Sequence, residues 1–330
     1  MESCPDGTTW ARGLMMRHFL SIDDLSTEQI ETILDWAKHI ESGWGHCRSM
    51  NNKCLSCFFS EPSTRTRFSF ERAMHWLGGR VVTAADASAS SSLKKGETLK
   101  DTFRTLGQYS DAIVMRHSDP DWPEVARKYS RVPVINAGSG SGEHPTQALL
   151  DLHTIRQKWG SVDGLNIMIC GDLQNGRTVH SLISLLDKYS CKIHYCPARI
   201  TDGDAKLELG LPDKYLRSHD CTKIDPSDAN DALKQMDVLY MTRIQTERLF
   251  PSGGLPVGMR MECMKIDSSN ISLVKPEAAI LHPLPRGIEI SPDVDDDPRA
   301  DYHERQVRNG LYVRTALLDY VLYGNPIKPF

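Results

Sequence analysis

The chain has 330 residues, of which 40% are apolar and 25% charged, and its formal net charge is −4. That length predicts two domains of ordinary size with substantial cores, and the composition excludes global disorder. The slight acidity argues against nucleic acid as the main partner, which would call for a basic excess. No apolar run reaches the roughly 18 residues needed to span a bilayer. The N-terminus, with Glu2, Asp6 and Arg12, has no secretory core, so the expectation is a cytoplasmic protein without membrane contact. Nine cysteines, an odd number in a chain this long, read as thiols in a reducing compartment. Cys54 and Cys57 form a lone CxxC inside an apolar run and are assigned to the core. No metal and no cofactor is expected.

Met1 to Arg17 reads as a loose lead-in. Ser26 with Gln29 forms a capping box ahead of a helix carrying Ile30, Ile33, Leu34, Ala37 and Ile40, ended by Gly43 and Gly45. Cys54 to Phe59 predicts a buried strand, Glu61 to Thr64 a turn, and Phe70, Ala73, Met74 and Leu77 the stripe of a second helix. Val81-Val82 begins a short strand. Ala84 to Ser92 is small and Ser-rich and predicts a mobile loop without an apolar anchor. A helix over 99–109 and strands over 112–115 and 132–135 follow. Pro145 suits the first turn of a helix bearing Leu149, Leu152, Ile155 and Trp159. The alternation then repeats, with strands over 165–170, 192–195, 238–241 and 279–281 and helices over 178–189 and 310–322. Strands alternating with helices predict parallel sheets flanked by helices, in two α/β domains joined near residues 145–165. The polar stretch 200–230 reads as an irregular excursion.

The densest chemical signal is Ser63-Thr64-Arg65-Thr66-Arg67 between a strand and a helix. A helix N-terminus offers unpaired N–H groups and the positive end of the dipole; three hydroxyls and a guanidinium beside it make a phosphate cradle. An ordinary N-cap with solvated arginines explains Ser63 but not the further donors. Arg65, Arg116, Arg177, Arg243 and Arg286 all stand near strand ends, where open parallel sheets bind ligands. Five such arginines suggest a ligand with several negative charges. There is no GxSxG, Walker or GxGxxG motif. The chemistry indicated is positioning of two anionic substrates with charge stabilisation at the reacting centre.

The motifs EPSTRTRFSFE (61–71), KKGETLKDT (94–102), VMRH (114–117), GEHPTQALLDL (142–152), GDLQNGRTVHSL (171–182), YMTRIQTER (240–248), HPLPR (282–286) and DVDDDPRADY (293–302), in this order, resemble the aspartate branch of the carbamoyltransferase family. The likeness runs from about Leu20 to Leu322. It implies two doubly wound domains, each a mostly parallel sheet flanked by helices: residues 1–146 for carbamoyl phosphate, with the C-terminal helix (305–330) packed back on it, and 147–304 for aspartate. It implies transfer of a carbamoyl group to the amine of L-aspartate, an early step of pyrimidine synthesis. Ser63, Thr64, Arg65 and Thr66 then match the carbamoyl-phosphate cradle. Arg116 and His144 match contacts to the carbonyl and phosphate, and Gln147 a contact to the carbamoyl amide. Arg177, Arg243 and Gln245 match aspartate carboxylate ligands, and Pro283 and Leu284 backbone carbonyls facing amino groups. Ser91 and Lys95 match residues inserted into a neighbouring subunit's site, which requires a homotrimer with shared active sites. Glu61 matches a carboxylate that pairs with Arg177 and Arg248 on domain closure.

Ser60, the Gly- and Met-rich loop 250–264 and His303-Glu304 depart from the family pattern, at none of these positions. Two other readings stay open: a carbamoyltransferase acting on ornithine or another amine, and a non-catalytic subunit that scaffolds partners. Pro283, where ornithine enzymes carry Cys, and the charges of Lys95 and Arg243 favour aspartate. A regulatory chain or a larger multienzyme complex remains a possible partner.

Overall fold

The structure, a computed structural model, describes residues 17–43, 50–216, 221–250 and 255–324. The lead-in before residue 17 and Gly45 lie outside the described residues. A four-stranded sheet is built from β1 (Cys54–Phe59), β2 (Arg80–Ala84), β3 (Ala112–His117) and β4 (Val134–Ser139), in the order β2-β1-β3-β4, all parallel. Its helices are α1 (Thr27–Glu41), α2 (Thr64–Trp76), α3 (Ala87–Ser90), α4 (Leu99–Tyr109) and α5 (Trp122–Tyr129). The Ser26/Gln29 capping box is formed in both directions, at 3.2 and 2.8 Å. The long helix α6 (Pro145–Trp159) leads to the second sheet, with Pro145 in its first turn.

That sheet contains β5 (Asn166–Gly171), β6 (Lys192–Pro197), β9 (Cys221–Lys223), β10 (Val238–Met241) and β12 (Ala279–Leu281), in the order β12-β10-β5-β6-β9, again all parallel. With it run α7 (Arg177–Leu186), α8 (Ala229–Ala232) and α9 (Thr246–Leu249). The terminal helix α10 (Arg305–Tyr323) packs against α1, α2 and α6. Central strands buried on both faces are what all-parallel sheets require, and β10 is buried throughout while β1 and β5 are buried after their first residue.

Several expectations need correction. The stretch 200–230 is not irregular: β7 (Arg199–Asp202) and β8 (Ala205–Glu208) form a hairpin, and β9 is an edge strand of the second sheet. The loop 250–264 contributes β11 (Arg260–Glu262), which pairs antiparallel with β7. Strands of three or four mostly polar residues carry too few apolar positions to be read as strands. The segment 84–92 is not an unanchored loop. It holds α3 and continues into a 3₁₀ turn over Ser92–Lys95; Ala87 is fully buried beside Leu20, Phe58 and Phe103, with Leu93 packed against that cluster. The strand predicted over 132–135 begins at Val134 and extends to Ser139, and β3 runs on through Arg116 and His117. Cys57 is buried as expected, whereas Cys54 is half-buried at the strand's start. Among the described residues no helix is long and apolar enough to cross a membrane.

Candidate active site

In each parallel sheet the chain reverses its direction of winding once, between β1 and β3 and between β5 and β10. Such switch points leave a crevice at the strands' carboxyl ends. Here both crevices open onto one cavity of about 440 Å³. The first switch point supplies Ser63, Thr64, Arg65 and Thr66 from the β1–α2 turn and Arg116 from the end of β3. The second supplies Gly176, Arg177 and Thr178 at the start of α7, and Thr242, Arg243 and Gln245 after β10. His144 and Gln147 enter from the start of α6, and His282, Pro283, Leu284 and Pro285 from the end of β12.

Ser63 is the N-cap of α2, yet its side chain makes no capping bond. Its hydroxyl instead receives Arg116 Nη1 at 3.4 Å, so the helix's first N–H groups stay open to an anion. Glu61, just beneath, is an ion-pair hub. Its Oε2 lies 2.8 Å from Arg177 Nη1 and 3.3 Å from Arg116 Nε, and its Oε1 lies 3.8 Å from Arg248 Nη2. Burial would raise the Glu61 carboxyl, but Arg177, Arg116 and Arg248 outweigh it and hold it below its ordinary value. Arg177 and Arg248 also donate to Gly140 O, each at 3.0 Å. Gly138, at φ 125°, is required beside them: a Cβ there would stand 3.0 Å from the Arg177 guanidinium.

Cationic charge exceeds the carboxylates present. Burial lowers Arg65, Arg116 and Arg177, and the neighbouring guanidiniums add to this for the latter two, bringing Arg116 down to about 9. Like charges gathered out of water favour an incoming anion. His144 is buried with Nε2 3.4 Å from Thr66 Oγ1 and Nδ1 3.4 Å from Thr146 Oγ1. Burial, followed by Arg116, Arg177 and Arg314, holds it well below an ordinary histidine, so the ring is a neutral hydrogen-bonding group.

The aspartate-side residues are present but engaged. Arg243 is gripped bidentately by Glu247, an i,i+4 partner. Gln245 donates to Asn175 O at 2.8 Å and receives Arg248 Nε at 3.0 Å. Leu284 has φ 53°, and its N–H donates to His282 Nδ1 at 2.7 Å, while His282 Nε2 donates to Glu289 Oε1 at 2.7 Å. Arg286 falls outside the cavity lining: it pairs bidentately with Asp295 and reaches Tyr302, so four of the five strand-end arginines line the cavity. Ser91 and Lys95 also fall outside it. Ser91 caps the 3₁₀ turn and Lys95 is exposed.

The sequence reading missed Thr178, Thr242, Glu247 and a buried group around Asp151. Asp151 Oδ1 receives Gln147 Nε2 at 2.9 Å and Gln306 Nε2 at 2.6 Å, and Oδ2 receives Tyr240 OH at 2.9 Å. Burial still pushes this carboxyl up to about 7, against the opposing effect of those donors. The i,i+4 spacing of Gln147 and Asp151, like that of Arg243 and Glu247, is the signal that could have found them.

Residues 17–157 match the family model of the aspartate/ornithine carbamoyltransferase carbamoyl-P binding domain, and residues 163–321 that of the Asp/Orn binding domain. The aspartate carbamoyltransferase catalytic subunit of Thermococcus onnurineus is 42% identical over 315 residues, covering 93% of this chain and 97% of the relative. The chloroplastic aspartate carbamoyltransferase of Arabidopsis thaliana is 43% identical over 301 residues, covering 90% and 75%. Among solved structures, aspartate transcarbamoylase from Trypanosoma cruzi in complex with N-(phosphonacetyl)-L-aspartic acid matches with a TM-score of 0.80 at 37% identity, covering 93% of this chain and 96% of that one. The same enzyme with aspartate and phosphate matches with a TM-score of 0.79 at 36% identity and the same coverage. With two matching domain models that together span most of its length, the chain belongs to the aspartate/ornithine carbamoyltransferase family.

Proposed function

We infer that the chain transfers the carbamoyl group of carbamoyl phosphate to L-aspartate, giving N-carbamoyl-L-aspartate and phosphate, an early step of pyrimidine synthesis. The observation that carries this is the shared cavity: a helix N-terminus with hydroxyls from one switch point faces arginines from the other, under an excess of buried cationic charge. Two anionic substrates need that arrangement. The N-terminal sheet with the α2 cradle takes the carbamoyl-phosphate side, and the second sheet takes aspartate. This keeps a division near residue 146, with helix α10 counted with the first part.

In the reaction, the phosphate of carbamoyl phosphate sits on the α2 N–H groups with Ser63, Thr64, Arg65 and Thr66. Arg177, Arg243 and Gln245 hold the aspartate carboxylates, which must displace or share Glu247 and the internal bonds of Gln245. The α-amine nitrogen attacks the carbonyl carbon. Negative charge grows on the carbonyl oxygen, and Thr66, Arg116 and neutral His144 supply preorganised donors to it. Pro283 and Leu284 carbonyls receive amino N–H groups. The carbon–oxygen bond to phosphate then breaks, and the departing phosphate takes the proton from the new C–N nitrogen. Lys95 and Ser91 reach the cavity of an adjacent subunit in a homotrimer; that both lie outside their own cavity, with Lys95 exposed, supports this.

Calorimetry with separate ligands tests the two-sided site. Arg65→Ala should weaken carbamoyl phosphate far more than aspartate, and Arg243→Ala the reverse, with aspartate titrated in the presence of phosphate. Losing one charge-assisted contact costs about 1.5–3 kcal/mol, roughly ten- to a hundredfold. Equal losses for both ligands in both variants would contradict the assignment.

A further inference from the structure

Gln147 lines the cavity, but an amide has two ends with opposite hydrogen-bonding roles, and something must decide which end faces the ligand. The buried group behind it makes that decision. His282 N–H donates to Gln306 Oε1 at 2.9 Å, so Gln306 must turn its –NH₂ to Asp151 Oδ1, 2.6 Å away. Asp151, as a carboxylate, can only accept, so Tyr240 OH gives its proton to Oδ2 at 2.9 Å. Both neighbours are therefore fixed as donors, and Asp151 serves as acceptor on both oxygens. Gln147 can join only through its own –NH₂, which lies 2.9 Å from Oδ1. Its Oε1 is left for the cavity.

We propose that Asp151 is a positioning residue: by holding the Gln147 amide with its carbonyl oxygen toward the cavity, it makes the site select an acyl phosphate whose acyl group carries –NH₂ over one that carries –CH₃. The proposal rests on reading Gln147 as the carbamoyl amide contact. Asp151 touches no substrate itself. Its partners come from α6, β10 and α10, so three elements set one amide.

The test compares carbamoyl phosphate, acetyl phosphate and inorganic phosphate as ligands of the full-length protein at pH 8. Acetyl phosphate replaces –NH₂ by –CH₃ at nearly constant shape; inorganic phosphate reports the cradle alone. Asp151→Asn keeps the shape but can offer its own –NH₂, letting Gln147 turn a donor toward the ligand. Carbamoyl phosphate affinity should fall at least about tenfold while the other two change by less than about twofold. Asp151→Ser, too short to reach the amide, leaves it free to turn; the ratio of carbamoyl to acetyl phosphate affinity should fall about threefold. In a Gln147→Ala background, Asp151→Asn should leave that ratio where Gln147→Ala alone puts it. Phosphate binding certifies that each variant is folded. Equal weakening of all three ligands by both Asp151 variants would make Asp151 merely structural and overturn the proposal. A ratio altered by Gln147→Ala but not by Asp151→Asn would overturn the proposal alone. A ratio unmoved by Gln147→Ala would overturn the reading of Gln147 as well.

Discussion

His144 shows how burial decides chemistry at a single residue. An exposed histidine is half protonated near pH 6.5. Here burial, with Arg116, Arg177 and Arg314 around it, depresses the ring's pKa well below that value, so it is uncharged at neutral pH. A neutral ring suits the role proposed for it, hydrogen bonding to the carbonyl oxygen rather than shuttling a proton. In an NMR titration the resonance lost in His144→Asn should stay flat from pH 9 to pH 6; an inflection near pH 6.5 would refute neutrality. The candidate site was legible residue by residue wherever a residue stands in a dense local motif. Ser63 to Thr66 stand out because they offer more donors at one helix start than a cap needs, and all four line the cavity. Arg286 misled because a strand-end position says nothing about direction: Asp295, nine residues later, turns it away from the cavity. Asp151 left only the i,i+4 spacing from Gln147 as a local trace, and Gln306 and Tyr240 left none, because their meeting with it depends on tertiary packing among α6, α10 and β10.

Elements with strong periodicity or clear caps were legible: α4 and strands β10 and β12 fall on the residues expected, and α1 starts at its capping box. What failed to show was short and polar. The β7–β8–β11 sheet has few buried side chains of its own, but Ile200 is buried in it, and a small cluster beside it joins Ala198, Leu209 and Ile244, with Leu249 and Met261 packed against them. It thereby supports the stretch that carries Arg243, Gln245 and Arg248, a role that only long-range contacts reveal. Pairing also explains a pH sensitivity. Segment 17–20 joins β4 through His18, whose Nδ1 accepts Val134 N–H at 3.2 Å, and His153 is buried on α6. Burial, followed by nearby cations, lowers both to about 4, against 6.5 when exposed. The unfolded chain thus binds more protons between these values. Stability should be full above about pH 6.5 and fall as pH drops through about 4, by at most about 1.4 kcal/mol per pH unit for each histidine. Urea midpoints at pH 7.5, 6 and 5 measure this, and His18→Asn with His153→Gln should flatten the slope; an unchanged slope would count against it.

At the scale of the whole molecule, two parallel sheets aim their switch points into one cavity, and the ion pairs of Glu61 with Arg177 and Arg248 tie those edges together. The alternation of strands and helices announced two parallel sheets, and the strand-end arginines a shared anionic ligand, while the detailed geometry was not legible because relative placement of the sheets rests on contacts far apart in sequence. The 84–95 segment carries Ser91 and Lys95, neither of which lines the cavity of its own chain. It is anchored by Ala87 and Leu93, yet it presents Lys95 away from its own cavity. Reassembly tests where that lysine works. Inactive Lys95→Ala and inactive Arg65→Ala proteins, dissociated, mixed and reassociated, should regain activity at interfaces that pair an intact Lys95 with an intact Arg65. Mixed trimers, confirmed by native mass spectrometry, that are no more active than each variant alone would rule out shared sites. The central claim is the acceptor. Isotope-labelled carbamoyl phosphate supplied with equimolar L-aspartate and L-ornithine in one vessel should send its label almost entirely into N-carbamoyl-L-aspartate, with phosphate released in equal amount; label accumulating mainly in citrulline, or in neither product, would contradict the account.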